Sequence, residues 1–136
     1  MHWRLVRISA TVILGARGML NQRLSAAEAS DPAGTWHGDS VCAAGLSGCH
    51  DERVVYYVKR VPNRPDRVMI QGNKIVNGEP VTMGAGEWQY DAAAASLEWR
   101  MPQQVWLLKI TGSRMVGTLK RTDGTLLRNM TLEKDR

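Results

Sequence analysis

The sequence predicts an all-β protein, an antiparallel eight-stranded meander that closes into a barrel, with a β-sandwich as the alternative. Three observations support this prediction. From residue 34 onward, runs of β-forming residues recur at regular spacing and are separated by short turn sequences. The runs have one apolar and one mixed face, as half-buried antiparallel strands require. No helical run lies between them that could serve as a parallel crossover.

The first four strands are predicted at 35–43, 53–60, 67–76 and 81–90. The second is a strong β-forming run, Arg-Val-Val-Tyr-Tyr-Val-Lys-Arg. Pro62 and Pro65 mark the turn after it, because proline fixes the backbone and removes a ladder donor. The third strand is predicted to bulge at Gly72, and Asn77-Gly78 joins it to the fourth through a two-residue hairpin turn.

The last four strands are predicted at 97–101, 104–110, 114–121 and 125–134. Residues 91–96 include four alanines but are too few for a stable helix, so this stretch is predicted to be a loop. Pro102 ends the fifth strand, and Gly112 lies in the turn between the sixth and seventh. Asp123-Gly124 is a second two-residue hairpin signal.

Residues 1–29 have the layout of a secretory signal peptide. Arginines and a histidine lie in the first seven residues, a nine-residue mostly apolar run follows at 8–16, and Ala27-Glu28-Ala29 fits a cleavage site. The alternative is an amphipathic N-terminal helix. We therefore expect a periplasmic or secreted protein with one domain, residues 30–136. The apolar run is too short for a bilayer core of about 30 Å, so no transmembrane span is expected.

The charge pattern argues against two other classes of protein. Outside residues 1–29 the chain has 14 basic and 12 acidic residues, a net charge of only +2. The basic stretch 53–67 is interrupted by Asp66 and by prolines, so no nucleic-acid partner is expected. An outer-membrane barrel needs an apolar outer band with aromatic girdles, whereas Lys59, Lys109 and Lys120 fall on the outward faces and phenylalanine is absent.

Cys42 and Cys49 are the two cysteines of the chain and flank a glycine-containing loop. In an exported protein such a pair is expected to form a disulfide. The alternative is a metal site built from both cysteines with His37 and His50. Zinc ligands prefer closer cysteine spacing, and the adjacent side chains of Cys49 and His50 would diverge on an extended backbone. No metal or other cofactor is therefore expected.

Four aromatic residues on predicted strands are candidate ligand-binding residues: Tyr56, Trp88, Trp99 and Trp106. Large aromatics on strands most often fill a core, but in a hollow barrel they line an interior site. Arg128 shares its parity with Met130 and Leu132 and is a candidate to hold an anionic head group inside the barrel. The alternative for Arg128 is an ion-paired or rim position, because charges are seldom buried unpaired.

No catalytic residue is assigned from the sequence. His37 shares a predicted strand face with Asp39, and His50 is followed by Asp51 and Glu52, so each histidine has carboxylates nearby for general-base chemistry. Recognised nucleophile, phosphate-loop and metalloprotease motifs are absent from the sequence. We therefore expect that the protein is not an enzyme.

Several motifs resemble those of a group of small exported bacterial proteins with no assigned activity. They lie at 34–42, 49–56, 76–79, 117–119 and 128–134. Gly34-Thr35-Trp36 also resembles the first strand of lipocalin-like (calycin) barrels. This resemblance implies that a basic side chain from the last strand covers the tryptophan. Lys134 is the first candidate for this closure, since an antiparallel last strand would bring its end beside Trp36, and Arg128 is the second.

The sequence therefore predicts an exported, disulfide-bearing barrel that binds a small apolar or amphiphilic ligand in its interior. The alternative is a solid barrel whose outer surface binds another protein. A cavity of a few hundred Å³ lined by the tryptophans would favour the first function, and a filled interior would favour the second.

Overall fold

The computed structural model describes residues 31–136, so the predicted signal peptide lies outside the described residues. These residues form eight strands, which are β1 (Gly34–Cys42), β2 (Glu52–Val61), β3 (Arg64–Val76), β4 (Glu79–Asp91), β5 (Ser96–Arg100), β6 (Gln104–Thr111), β7 (Arg114–Arg121) and β8 (Leu126–Lys134). Each strand pairs antiparallel with the next, and β8 pairs with β1. The predicted closed barrel is confirmed, and the sandwich alternative is wrong.

The predicted two-residue turn between β3 and β4 is confirmed. Asn77 and Gly78 both have positive φ, at 50° and 79°, as a two-residue turn that matches the strand twist requires. The predicted bulge is also present, because the β3–β4 register shifts between Gly72 and Asn73. The stretch between β4 and β5 contains turns and no helix, as expected.

Two connections differ from the prediction. Pro65 lies inside β3, where the β2–β3 register shifts, so the ladder hydrogen bond that proline cannot donate is not needed there. At the β7–β8 connection, the Gly124 amide donates to the Arg121 carbonyl at 2.9 Å, and the Arg121 amide donates to Thr125 at 2.9 Å. The turn therefore has three residues rather than two, with Gly124 at a φ of 93°.

Inward-facing side chains fill much of the barrel. The largest side chains that are fully buried are Trp36, Leu97, Leu108, Met115, Met130 and Leu132. They come from β1, β5, β6, β7 and β8, so the core joins strands that are distant in sequence. Within residues 31–136 no helix is long and apolar enough to cross a membrane.

The predicted disulfide is confirmed. Cys42 and Cys49 are bridged, with their Cα atoms 6.1 Å apart, and the Cys42 amide donates to the Asp51 carboxylate at 2.8 Å across the same loop. The alternative metal site is wrong, because sulfurs joined to each other are not thiolate ligands. Over the described residues, no group of three or more His, Cys, Asp or Glu side chains is arranged to hold a metal ion.

We predict that replacing both cysteines, Cys42→Ser with Cys49→Ser, lowers the free energy of unfolding by about 2.5 kcal/mol, because the bridge no longer restricts an eight-residue loop in the unfolded chain. Urea denaturation at 25 °C measures the change. The wild-type protein reduced with dithiothreitol is the control and should unfold at the midpoint of the double variant. An unchanged midpoint in both samples would show that the bridge does not stabilise this fold.

Candidate functional site

One end of the barrel is closed by Trp36. Its indole N–H donates to the Pro32 carbonyl at 2.9 Å, and its side chain is fully buried. The Lys134 ammonium lies 5.5 Å from the centre of the indole ring and donates to the Asp31 carbonyl at 3.0 Å. The structure thus places Lys134, and not Arg128, over the tryptophan, in register with it across β1 and β8.

A cavity of about 260 Å³ lies toward the opposite end, near the disulfide loop and the β3–β4 hairpin. Ten residues line it: Tyr56, Ile70, Gly72, Met83, Gly84, Trp88, Trp99, Met101, Gln104 and Trp106. The four aromatic residues singled out in the sequence are among them. These four aromatic residues come from four different strands, β2, β4, β5 and β6.

The tryptophans form a tilted group around Trp88. Its ring centre lies 5.6 Å from that of Trp99 at an interplanar angle of 37°, and 6.0 Å from that of Trp106 at 57°. Such tilted pairs are favourable beyond the area they bury. Trp88 is buried, whereas Trp99 and Trp106 are only partly buried, so their rings also face space that residues 31–136 leave open.

The cavity exists because two features remove atoms from the wall. The ladder between β4 and β5 is only three residue pairs long, from Gln89 to Asp91 on β4, so the two strands separate beside Trp99. Gly72 faces Gly84 across β3 and β4, and neither contributes a side chain. A Cβ added at Gly84 would meet nothing within 4 Å.

Sequence reasoning did not identify Met83, Met101 or Gln104 as part of this site. Met83 and Met101 lie at the rim, with 44% and 39% of their surface exposed. Methionines near strand ends give no distinctive local pattern. The glycines of β4 were a usable signal, since missing side chains in a barrel strand leave interior space.

Tyr56 lines the cavity, and its hydroxyl is bound inside the barrel core. Its hydroxyl lies 3.7 Å from the Met130 sulfur in the interior. Burial raises the pKa of the Tyr56 hydroxyl well above its usual range, and the nearby Glu52 carboxylate raises it further, while Arg128 acts in the opposite sense. The phenol is therefore neutral at physiological pH, and its hydroxyl donates to the Met130 sulfur.

Arg128 does not line the tryptophan cavity. It donates hydrogen bonds to the Ser40 carbonyl and hydroxyl at 3.3 and 3.2 Å and to the His50 carbonyl at 3.0 Å, and its Nη1 lies 3.8 Å from Glu52. These contacts agree with the alternative prediction for Arg128, an ion-paired side chain. They tie the end of β1 and the disulfide loop to β8.

The histidines do not converge with the carboxylates considered from the sequence. His37 contacts Asp135 on the exposed outer face, while Asp39 pairs with Arg53 at 3.4 Å. The His50 carbonyl accepts from Arg128 in the disulfide loop. His37 therefore contacts Asp135 instead of Asp39, and this contact lies on the outer surface and not in a cleft.

The described residues define a class of protein, an up-and-down antiparallel barrel with one packed end and a tryptophan-lined cavity toward the other. No protein-family model matches the chain, and no curated protein matches it in sequence. A solved structure similar to it is the S-type phycobiliprotein lyase CPES from Guillardia theta, with a TM-score of 0.41 and 11% identity, covering 88% of this chain and 94% of that chain. At this identity the likeness concerns the barrel fold alone.

The comparison corrects one expectation. The sequence predicted a protein that is not an enzyme, whereas the similar solved structure is named as a lyase. The exclusion of enzymatic activity is therefore withdrawn. Its physical basis was weak, because a barrel interior that binds a ligand can also carry chemistry without a familiar sequence motif.

Proposed function

We propose that this barrel binds a small apolar or amphiphilic ligand in the tryptophan-lined cavity. The supporting observation is a space of about 260 Å³ whose wall includes three tryptophans and two methionines. An apolar cavity of about 150 Å³ accepts benzene, and many ligand sites measure about 300–1,000 Å³. The ligand is therefore compact, or only part of it is enclosed.

The entrance suits ligand exchange. Met83 and Met101 lie at the rim, and methionine side chains adapt their shape at low cost because they are unbranched and flexible. Beside them β4 and β5 are not paired, so the barrel wall can open there without breaking ladder hydrogen bonds. Gln104 adds a polar group that would orient an amphiphilic ligand.

We further propose that the ligand is bound outside the cytoplasm, in the periplasm or the medium. The Cys42–Cys49 bridge is compatible with an oxidising compartment, and residues 1–29 have the composition of a cleaved export signal. A mature protein whose N-terminal sequence begins at Met1 would contradict this localisation.

The binding proposal predicts that decan-1-ol changes the tryptophan fluorescence in a saturable manner. Gly84→Leu should weaken binding at least about tenfold, because its side chain enters the cavity where an added Cβ meets no atom within 4 Å. Ala85→Leu is the matched control, since it places a leucine side chain one residue away on the opposite face of β4 and should bind normally. Lack of saturable binding by the wild type, or normal binding by Gly84→Leu, would contradict the proposal.

A second candidate function is supported by the outer surface. A groove of about 430 Å³ crosses β2, β3 and β4 and is lined by Tyr57, Lys59, Met69, Gln71, Asn73 and Ala85. It would suit an extended segment of a protein partner. The same two variants separate the functions, because Ala85→Leu alters this groove and Gly84→Leu does not. Partner binding lost only in Ala85→Leu would support the outer-surface function.

A further inference from the structure

A second cavity of about 310 Å³ lies under the disulfide loop, next to the tryptophan cavity. Gln104 lines both of them. The second cavity is bounded by Leu46, Ser47, Gly48 and Cys49 of the loop and by residues of β6, β7 and β8. Both cavities therefore border the same side chain, which makes them neighbours at this end of the barrel.

The two cavities differ in charge. Arg121 and Arg128 line the second one, and none of its lining residues within the described chain is acidic. Among the residues that the structure describes, none that lines the tryptophan cavity is charged. The pair therefore places an apolar space beside a cationic one, an arrangement that an amphiphile with one anionic end would complement.

The positive charge of the second cavity is only partly compensated. Glu52 is the carboxylate near Arg128, and its closest approach of 3.8 Å is longer than a charge-assisted hydrogen bond of about 2.7–2.9 Å. Glu52 is also shared with Lys74, at 3.9 Å. In the β7–β8 turn, the Thr125 amide donates to the Asp123 carboxylate at 2.9 Å and lowers its pKa, and the nearby charge of Arg121 lowers this pKa to a smaller extent. The Asp123 carboxylate therefore already has a partner other than Arg121.

The geometry points to a ligand class that deepens the proposed function and rests on it. We propose that the ligand is an anionic amphiphile, such as a carboxylic acid, whose head group lies between Arg121 and Arg128. Its apolar part extends past Gln104 into the tryptophan cavity. Arginine suits this role, because its planar guanidinium can donate two parallel hydrogen bonds to a carboxylate.

Arg121 and Arg128 have different tasks in this site. Arg128 is held by Ser40 and His50 and so has a fixed position, and its removal would also loosen the disulfide loop. Arg121 stands at the exposed end of β7, opposite Gln104 in the β6–β7 ladder. Its side chain is therefore the better one to change, because the barrel does not depend on it for a buried contact.

The proposal is tested with decanoate and decan-1-ol, which share a ten-carbon chain and differ in the charged end. Both are titrated into the wild type, Arg121→Gln and Arg114→Gln, with tryptophan fluorescence as the readout. Arg114→Gln removes the same charge at the opposite end of β7. We expect the wild type to bind decanoate at least about tenfold more tightly than decan-1-ol, by charge-assisted hydrogen bonding. Arg121→Gln should lose most of that preference and keep its affinity for decan-1-ol.

The possible outcomes separate the two proposals. If wild type binds both probes equally, or if Arg114→Gln removes the preference as fully as Arg121→Gln, the anionic subsite is wrong while the cavity remains a binding site. If neither probe binds in a saturable manner, the proposed function itself fails. A preference for decanoate that is lost only in Arg121→Gln supports the subsite.

Discussion

Gly38→Ala is expected to destabilise the barrel by more than about 3 kcal/mol and to leave little folded protein, because a backbone clash in a packed ladder is among the costliest single changes. An added Cβ would lie 1.9 Å from the Thr131 carbonyl oxygen and 2.6 Å from the Leu132 Cα. Both atoms belong to the backbone of β8, which pairs with β1 to close the barrel. β1 and β8 would have to move apart at this point of their ladder.

The measurement is urea denaturation at 25 °C followed by far-ultraviolet circular dichroism. Gly84→Ala is the matched control, since its Cβ would meet nothing within 4 Å and no loss of stability is expected. The typical effect of a point mutation is about 1 kcal/mol. A free energy of unfolding for Gly38→Ala within that distance of the wild type would show that β1 and β8 can accommodate the added methyl group.

Trp36→Ala is expected to lower the free energy of unfolding by about 3–5 kcal/mol, the usual range for removing a buried tryptophan. The side chain is fully buried and anchors the packed end through its hydrogen bond to Pro32. Its removal would leave a cavity where β1 and β8 join, and the surrounding strands are paired on both sides and cannot collapse into it.

Lys134→Met separates the charge of this contact from its packing. The variant keeps an apolar stem over the indole and loses the ammonium. A loss of about 0.5–2 kcal/mol is expected from the cation–π interaction together with the hydrogen bond to the Asp31 carbonyl. Lys120→Met, on the exposed outer face of the same sheet, should change stability little. Equal effects of the two lysine variants would mean that the ring contact does not stabilise closure.

Some features of the site were predictable from local pattern. The parity of Tyr56 and Trp106 placed them on inward faces, and period-two alternation holds wherever a strand is half buried. The pairing of Lys134 with Trp36 followed from antiparallel order at the two ends of the chain. Arg128 shared the inward parity, yet the sequence did not show that Ser40, His50 and Glu52 surround it.

The sequence by itself determined the order of eight strands, the turn at Asn77-Gly78 and the Cys42–Cys49 loop. These depend on side-chain alternation, on backbone preferences of single residues and on short separations along the chain. Only the tertiary structure decided that the barrel is hollow toward the disulfide loop. That outcome depends on which residues of distant strands face each other, with Gly72 opposite Gly84 and with β4 leaving β5 after three pairs. Interior space is a property of register and shear across the whole barrel, which no single segment encodes.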